Sequence, residues 1–187
     1  MKKLIVMLSV TAMIVFSVSA CGNGNDTNHA HSSNNNHHDE HSDMNHSSSG
    51  ELPDKLQEAA APTFPVGSEA MIRADHMEGM NGATATIVGA YDTIVYTVSY
   101  MPTTGGEKVT DHKWVIHEEL MNAGDAAFEQ GTEVVLQADH MKGMDGATAT
   151  IDSAEQTTVY MVDYVPTTGE GKVTNHKWVT ESELEAP

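Results

Sequence analysis

The stretch Asp75-His-Met-Glu-Gly-Met-Asn-Gly-Ala-Thr-Ala-Thr-Ile87 recurs further along the chain as Asp139-His-Met-Lys-Gly-Met-Asp-Gly-Ala-Thr-Ala-Thr-Ile151. Around it, residues 66–120 align with residues 130–184 without a gap, and 33 of the 55 aligned positions are identical. The chain therefore contains a tandem duplication. We call residues 66–120 copy one and residues 130–184 copy two.

Apolar residues alternate with more polar ones along three short segments of each copy. A period of two is typical of strands with one buried face, and glycines punctuate the connections between the segments. The apolar faces of copy one consist of Ala70, Ile72 and Ala74, then Ala83, Ala85 and Ile87, then Ile94, Tyr96, Val98 and Tyr100.

Short strands joined by glycine-rich turns predict an all-β fold rather than a helical module. We expect two tandem small SH3-like antiparallel β-barrels, one in residues 62–121 and one in residues 122–187. Because a core of this size is marginal alone, the two barrels should pack against one another. A short amphipathic helix or hinge is expected at Glu51–Ala61, ahead of the first barrel.

The N-terminus has the pattern of a bacterial lipoprotein signal peptide. Lys2 and Lys3 precede an apolar run, and Val18-Ser-Ala-Cys21 matches the processing site. We expect residues 1–20 to be removed and Cys21 to carry the lipid, anchoring the chain to the extracytoplasmic face of the cell membrane. Cys21 is the only cysteine, so no disulfide or thiolate site is expected. The alternative is an ordinary secretory signal with an incidental cysteine.

The chain that remains after cleavage is strongly acidic and begins with a polar, histidine-rich region. Cleavage leaves 7 basic and 27 acidic residues, a formal charge of 7 − 27 = −20, which argues against nucleic acid as a partner. Residues 21–61 are largely polar and are predicted to begin as a disordered tether. Imidazole binds copper, zinc and nickel, so the tether is a candidate metal binder, with a polar spacer as the alternative. The tether histidines are His29, His31, His37, His38, His41 and His46.

The repeated motifs carry a second set of candidate metal ligands. No nucleophile triad, phosphate loop or helical zinc signature is present, so we do not expect an enzyme. Thioether sulfur binds Cu(I) well and imidazole serves either oxidation state, which favours Cu(I) and leaves Cu(II) possible. The alternative is that the methionines pack in the cores. The candidate ligands are His76, Met77, Met80 and His112 in copy one, and His140, Met141, Met144 and His176 in copy two.

The twin motif beginning at Asp75, together with Pro-Thr-Thr-Gly and His-Lys-Trp-Val in both copies, resembles the YdhK family of lipoproteins from Gram-positive bacteria. The resemblance covers Val66–Leu184. Similar members include the CopL copper-binding lipoproteins, which are associated with copper export pumps and copper resistance. The resemblance implies an extracytoplasmic, membrane-anchored, copper-sequestering lipoprotein that contributes to copper homeostasis, with a copper-export pump as a candidate partner.

Two other functions stay open at this point. SH3-like pairs on bacterial surfaces often bind wall polymers or peptides, so the chain could be a cell-wall or peptide-binding module without metal, using a groove of exposed aromatic residues. The other possibility is zinc or nickel buffering by the tether alone.

Overall fold

The computed structural model describes residues 46–169 and 171–187. Within them the fold is all-β and antiparallel, with no α-helix and no helix of the length and apolar character that crossing a membrane requires. The predicted all-β class and two-copy organisation are confirmed. Residues 1–20, Cys21 and the tether histidines His29 to His41 lie outside the described residues. The strands are β1 (Gln57–Glu58), β2 (Glu69–Ile72), β3 (Thr84–Tyr100), β4 (Val109–Ile116), β5 (Glu133–Val135), β6 (Thr148–Tyr164), β7 (Val173–Thr180) and β8 (Leu184–Glu185).

A ribbon of two 17-residue strands, β3 and β6, forms the centre of the fold. Thr93 pairs with Thr157, its own counterpart in copy two. The register is symmetrical on either side, because Ala85 pairs with Tyr164 and Tyr100 pairs with Ala149. The pairing therefore relates the two copies by a local two-fold axis. What the sequence predicted as two strands, ending at Ile87 and resuming at Ile94, is one continuous strand.

The two larger cores each combine residues from both copies. In the first, Ile72 and Ile87 of copy one pack with Tyr164 and Leu184 of copy two, and β2 pairs with β8 at the end of the chain. In the second core the roles of the copies are exchanged. There β5 and the start of β6, from copy two, pack on the end of β3 and on β4, from copy one. The boundary between residues 62–121 and residues 122–187 therefore separates the two sequence copies. Each of the two larger cores, in contrast, contains residues of both copies.

Residues 46–61, which the sequence placed in the tether, contact the sheet. β1 pairs with β3 through Gln57 opposite Asp92, and Leu56 packs beside the two tryptophans. The helix predicted at Glu51–Ala61 is wrong: this stretch contains a turn at residues 54–55 and the two-residue strand β1. Lys55 has a φ of 70°, which a right-handed helix does not accommodate.

Candidate metal centre

Two of the candidate histidines, His112 and His176, lie on strands β4 and β7 at irregular positions. His112 pairs with Val98 and His176 with Val162, and the register shifts on both sides of each pair. The preceding residue has a left-handed backbone in both copies, with φ of 50° at Asp111. Bulges of this kind change the direction in which a side chain points, compared with a regular strand. The His112 ring lies 6.2 Å, centroid to centroid, from the ring of His140 in the other copy.

The other two, His76 and His140, lie on the glycine-containing loops that follow β2 and β5. Each loop docks on the Pro-Thr-Thr-Gly turn of the opposite copy. The Gly79 carbonyl accepts a hydrogen bond from the Thr167 N–H at 2.8 Å, and the Gly143 carbonyl accepts one from the Thr103 N–H at 2.9 Å. The glycine-containing loop of each copy is therefore hydrogen-bonded to the Pro-Thr-Thr-Gly turn of the other copy. These contacts fix the position of His76 and His140.

A glutamate of the opposite copy contacts each loop histidine. Nε2 of His76 lies 2.7 Å from Oε1 of Glu183, and Nε2 of His140 lies 2.8 Å from Oε1 of Glu119. The second oxygen of each glutamate accepts a tryptophan N–H, from Trp114 for Glu183 at 2.9 Å and from Trp178 for Glu119 at 3.1 Å. When Nε2–H donates its hydrogen bond to the carboxylate, the lone pair of the neutral ring is on Nδ1.

One nitrogen on each of the four histidines is buried and has no hydrogen-bond partner among the described residues. These atoms are Nδ1 of His76, Nδ1 of His140, Nε2 of His112 and Nε2 of His176. Leaving a buried polar atom unpaired costs about 1–3 kcal/mol, and native proteins rarely do so. We call these four residues the histidine cluster. Four unpaired imidazole nitrogens in one region have the chemistry of a metal-binding site.

Two of these four rings, those of His112 and His176, are held in the neutral form by their surroundings. Burial, followed by the charges of neighbouring imidazoles, lowers the pKa of His112 to about 4 and that of His176 to about 3. Burial raises the pKa of Glu183, but its hydrogen bonds and the charge of His76 outweigh burial and lower that pKa to about 2. His112 and His176 are therefore deprotonated at neutral pH, as imidazole ligands must be.

The rings are neighbours, but they do not yet surround a common point. Within residues 46–169 and 171–187, no three His, Cys, Asp or Glu side chains are arranged as a metal ion requires. Two imidazoles bound to one ion, each at about 2 Å, have centroids roughly 5–6 Å apart. The separation of His112 and His140 is close to that range. These two rings therefore lie close to the spacing that one shared ion requires.

Two of the four candidate methionines pack in the apolar cores rather than serving as the ligands that the sequence predicted. Met80 and Met144 have no exposed surface and lie in the first and second apolar cores, respectively. That is the packing role left open as the alternative, and we no longer include these two as ligands. Met77 packs at the edge of the first core, and Sδ of Met141 lies 4.0 Å from the Tyr100 hydroxyl.

Sequence reasoning missed Glu119 and Glu183. Both copies end with a glutamate and a leucine at the same aligned positions, and this repetition could have indicated them. A single glutamate in an acidic chain, however, does not stand out. The groove of exposed aromatics expected for wall binding is also not formed by the tryptophans or tyrosines. Trp114 is 9% exposed, Trp178 is fully buried, and the tyrosines are all buried.

Comparison with known proteins gives one family. The family described as "Protein of unknown function (DUF1541)" matches residues 66–117 and 130–181. A relative from Bacillus subtilis (strain 168), "Uncharacterized protein YdhK", is 55% identical over 182 residues, covering 97% of this chain and 87% of its own. The predicted membership of the YdhK family is confirmed.

Solved structures of this relative have the same fold. A crystal structure of YdhK from Bacillus subtilis matches with a TM-score of 0.76 and 58% identity, covering 79% of this chain and all of its own. A solution NMR structure of the YdhK C-terminal domain matches with a TM-score of 0.63 and 62% identity, covering 66% of this chain and 93% of its own.

Proposed function

The chain belongs to the DUF1541 family, and from the histidine cluster that its two copies build together, we propose that it is an extracytoplasmic, membrane-anchored lipoprotein that binds and sequesters copper. The anchor would be the lipid on Cys21, and the protein would contribute to copper homeostasis and resistance. A copper-export pump is the partner that this function predicts. No catalytic turnover is part of the proposal.

The observation that carries this proposal is the set of unpaired nitrogens on His76, His112, His140 and His176. The nearness of His112 to His140 supports one centre shared by both copies, rather than one site in each. Imidazole is a good ligand for copper in either oxidation state, and Cu(II) is the strongest binder among divalent first-row ions. The thioethers of Met77 and Met141, next in sequence to two of the histidines, are the sulfur donors that would favour Cu(I).

The chain's own groups would perform three tasks in binding. The neutral rings of His112 and His176 offer lone pairs without first losing a proton. Glu119 and Glu183 hold the rings of His140 and His76 and increase their basicity, as outer carboxylates do for metal-bound histidines. Burial of these rings would keep a bound ion away from solvent and from exchange with other ligands.

A competition titration tests the proposal. We would use the chain from Gly22 onward with the five tether histidines from His29 to His41 replaced by asparagine, so that only the folded part can bind; we call this protein the test background. Cu(I) and Cu(II) are each titrated against a chelator of known affinity. We expect one tightly bound copper, lost when both His112→Ala and His176→Ala are introduced.

The control is His117→Ala. Both nitrogens of His117 are already occupied, Nδ1 by the Tyr96 hydroxyl at 2.8 Å and Nε2 by the Gly124 carbonyl at 2.7 Å, so this variant removes a histidine that cannot be a ligand. Equal copper affinity in the test background and in the double alanine variant would refute the proposal.

A further inference from the structure

We propose that His46 is a fifth ligand of the same centre, carried to one side of it by a segment that docks on β7. This inference rests on the proposed function, since it adds a donor to the histidine cluster. It also makes the centre asymmetric, although the two copies that build it are related by a two-fold axis.

The docking of residues 46–51 on β7 is specific. The Ser48 N–H donates to the Thr174 carbonyl at 3.0 Å, and the Ser48 hydroxyl donates to the Asn175 carbonyl at 2.7 Å. The Thr174 N–H donates to the Ser47 hydroxyl at 2.9 Å, and Lys177 donates to the Glu51 carbonyl. These contacts lie immediately before and after His176, so the docked segment must pass beside that ring.

The backbone of His46 contacts the side chain of His176 directly. The His176 ring hydrogen-bonds to the backbone of His46. Because Nε2 of His176 has no hydrogen-bond partner among the described residues, the bonded nitrogen is Nδ1. A backbone carbonyl that accepts from Nδ1 leaves the Nε2 lone pair free, which is the common arrangement of a metal-bound histidine. Docking of His46 therefore prepares His176 as a ligand.

The imidazole of His46 lies near the same group of rings. It is half-buried, and that burial lowers its pKa below the ordinary value. It is close enough to His112 and His176 for its charge to lower the pKa of each. Whereas His176 is 6% exposed, His46 remains partly open to solvent.

Copy one lacks the residue that would hold an equivalent segment. Nδ2 of Asn175 donates to the Ser48 carbonyl at 3.4 Å, and the residue at the corresponding position of copy one is Asp111. A carboxylate has no proton to donate to a carbonyl at neutral pH. Among the described residues, a fifth imidazole is therefore supplied on the β7 side alone.

The test is His46→Ala in the test background, which removes the imidazole and keeps the carbonyl that orients His176. We expect copper affinity to fall by about tenfold or more, because loss of even an outer partner of a ligand costs 10–100-fold. X-ray absorption should report one fewer imidazole on the copper. With His46→Gly, free imidazole in solution should restore the missing nitrogen, whereas it should have no effect on His117→Ala.

A second variant tests the docking. Ser48→Pro keeps His46 but removes the N–H that bonds Thr174, and it should lower copper affinity as His46→Ala does. If His46→Ala leaves affinity and imidazole count unchanged while the His112→Ala and His176→Ala pair abolishes binding, the fifth ligand is refuted and the copper function stands. If neither change affects binding, the proposed function itself fails. A loss of affinity with no change in imidazole count, and no rescue, would also refute His46 as a ligand.

Discussion

Nε2 of His76 lies 2.7 Å from Oε1 of Glu183, although the two residues are 107 positions apart in the chain. The same contact in the other direction joins His140 to Glu119 at 2.8 Å. Neither copy supplies both the histidine and its carboxylate. The geometry of the candidate centre therefore depends on the pairing of the two copies rather than on the fold of either one.

Glu183→Gln should weaken copper binding by about tenfold or more while the protein remains folded, because the amide keeps the shape of the side chain but loses the charge that orients His76. Affinity by competition titration is the measurement. The matched control is Glu185→Gln, whose partner Arg73 lies 2.6 Å away on the surface. Exposed pairs of this kind contribute about 0–1 kcal/mol, so affinity should not change. Equal effects of the two variants would contradict a role for Glu183.

Met80→Ala and Met144→Ala should each lower the free energy of unfolding by about 2–5 kcal/mol, because both side chains are fully buried in apolar cores. Urea denaturation measures this loss. Copper affinity of the folded fraction should not change. Met101→Ala, at a position that is 55% exposed, should leave stability within about 0.5 kcal/mol. Weaker copper binding by either core variant, with stability intact, would return these thioethers to the list of ligands.

Gly79→Ala should destabilise the protein more than Gly82→Ala. Both glycines have a positive φ, 74° and 81°, so each alanine would pay a similar conformational cost. A Cβ at Gly79 would also lie 2.8 Å from Oγ1 of Thr168, whereas a Cβ at Gly82 would have no atom of the described residues within 4 Å. Thermal unfolding compares the two. A larger loss at Gly82 would mean that docking of the loop on the opposite turn contributes little.

The metal-free protein should lose stability in acid. The pKa values of His112 and His176 fall from the ordinary 6.5 to about 4 and about 3 on folding, so between pH 6.5 and about 3 the unfolded chain binds more protons. The free energy of unfolding therefore decreases as pH falls through this window, with each pKa unit equivalent to about 1.4 kcal/mol. Below pH 4.5 the lowered pKa of Glu183 acts in the same direction.

Urea midpoints from pH 7 to pH 4 measure this dependence. His176→Gln removes one of the titrating rings and should flatten the curve. A midpoint that stays constant over this range in the unmodified protein would contradict the burial of neutral histidines.

Residues 122–187 alone should not fold, since copy one supplies 8 of the 14 buried residues of the first core and 5 of the 12 of the second. We expect a narrow range of amide proton shifts for this fragment by NMR, with the dispersion of a folded protein appearing when residues 46–121 are added. A well-dispersed spectrum of the fragment by itself would show that the copies fold as independent barrels.

Local patterns in the sequence predicted the local structure well. The alternation at Ala70, Ile72 and Ala74 correctly identified a buried face, because each side chain's direction follows from the period of a strand. The helix at Glu51–Ala61 failed because contacts of Leu56 and Gln57 with the sheet outweigh a weak local pattern.

Contacts between the copies could not be predicted in this way. The pairing of Thr93 with Thr157 depends on two distant segments meeting, and their periodicity is the same whether each copy folds separately or with the other. The histidines could be chosen as candidates because imidazole is uncommon and chemically distinctive, and their role as ligands stays a prediction. The burial of Met80 could not be decided, since methionine serves equally well as a ligand and as a core residue.

The symmetrical register of β3 and β6 is the arrangement of a homodimer whose subunits have been joined into one polypeptide. Separate single-copy chains would have to associate, so both their folding and the assembly of the centre would depend on protein concentration. Residues 121–129 make that encounter intramolecular, at an effective concentration on the order of millimolar for a short linker. One such molecule, however dilute, contains everything needed to assemble its own centre.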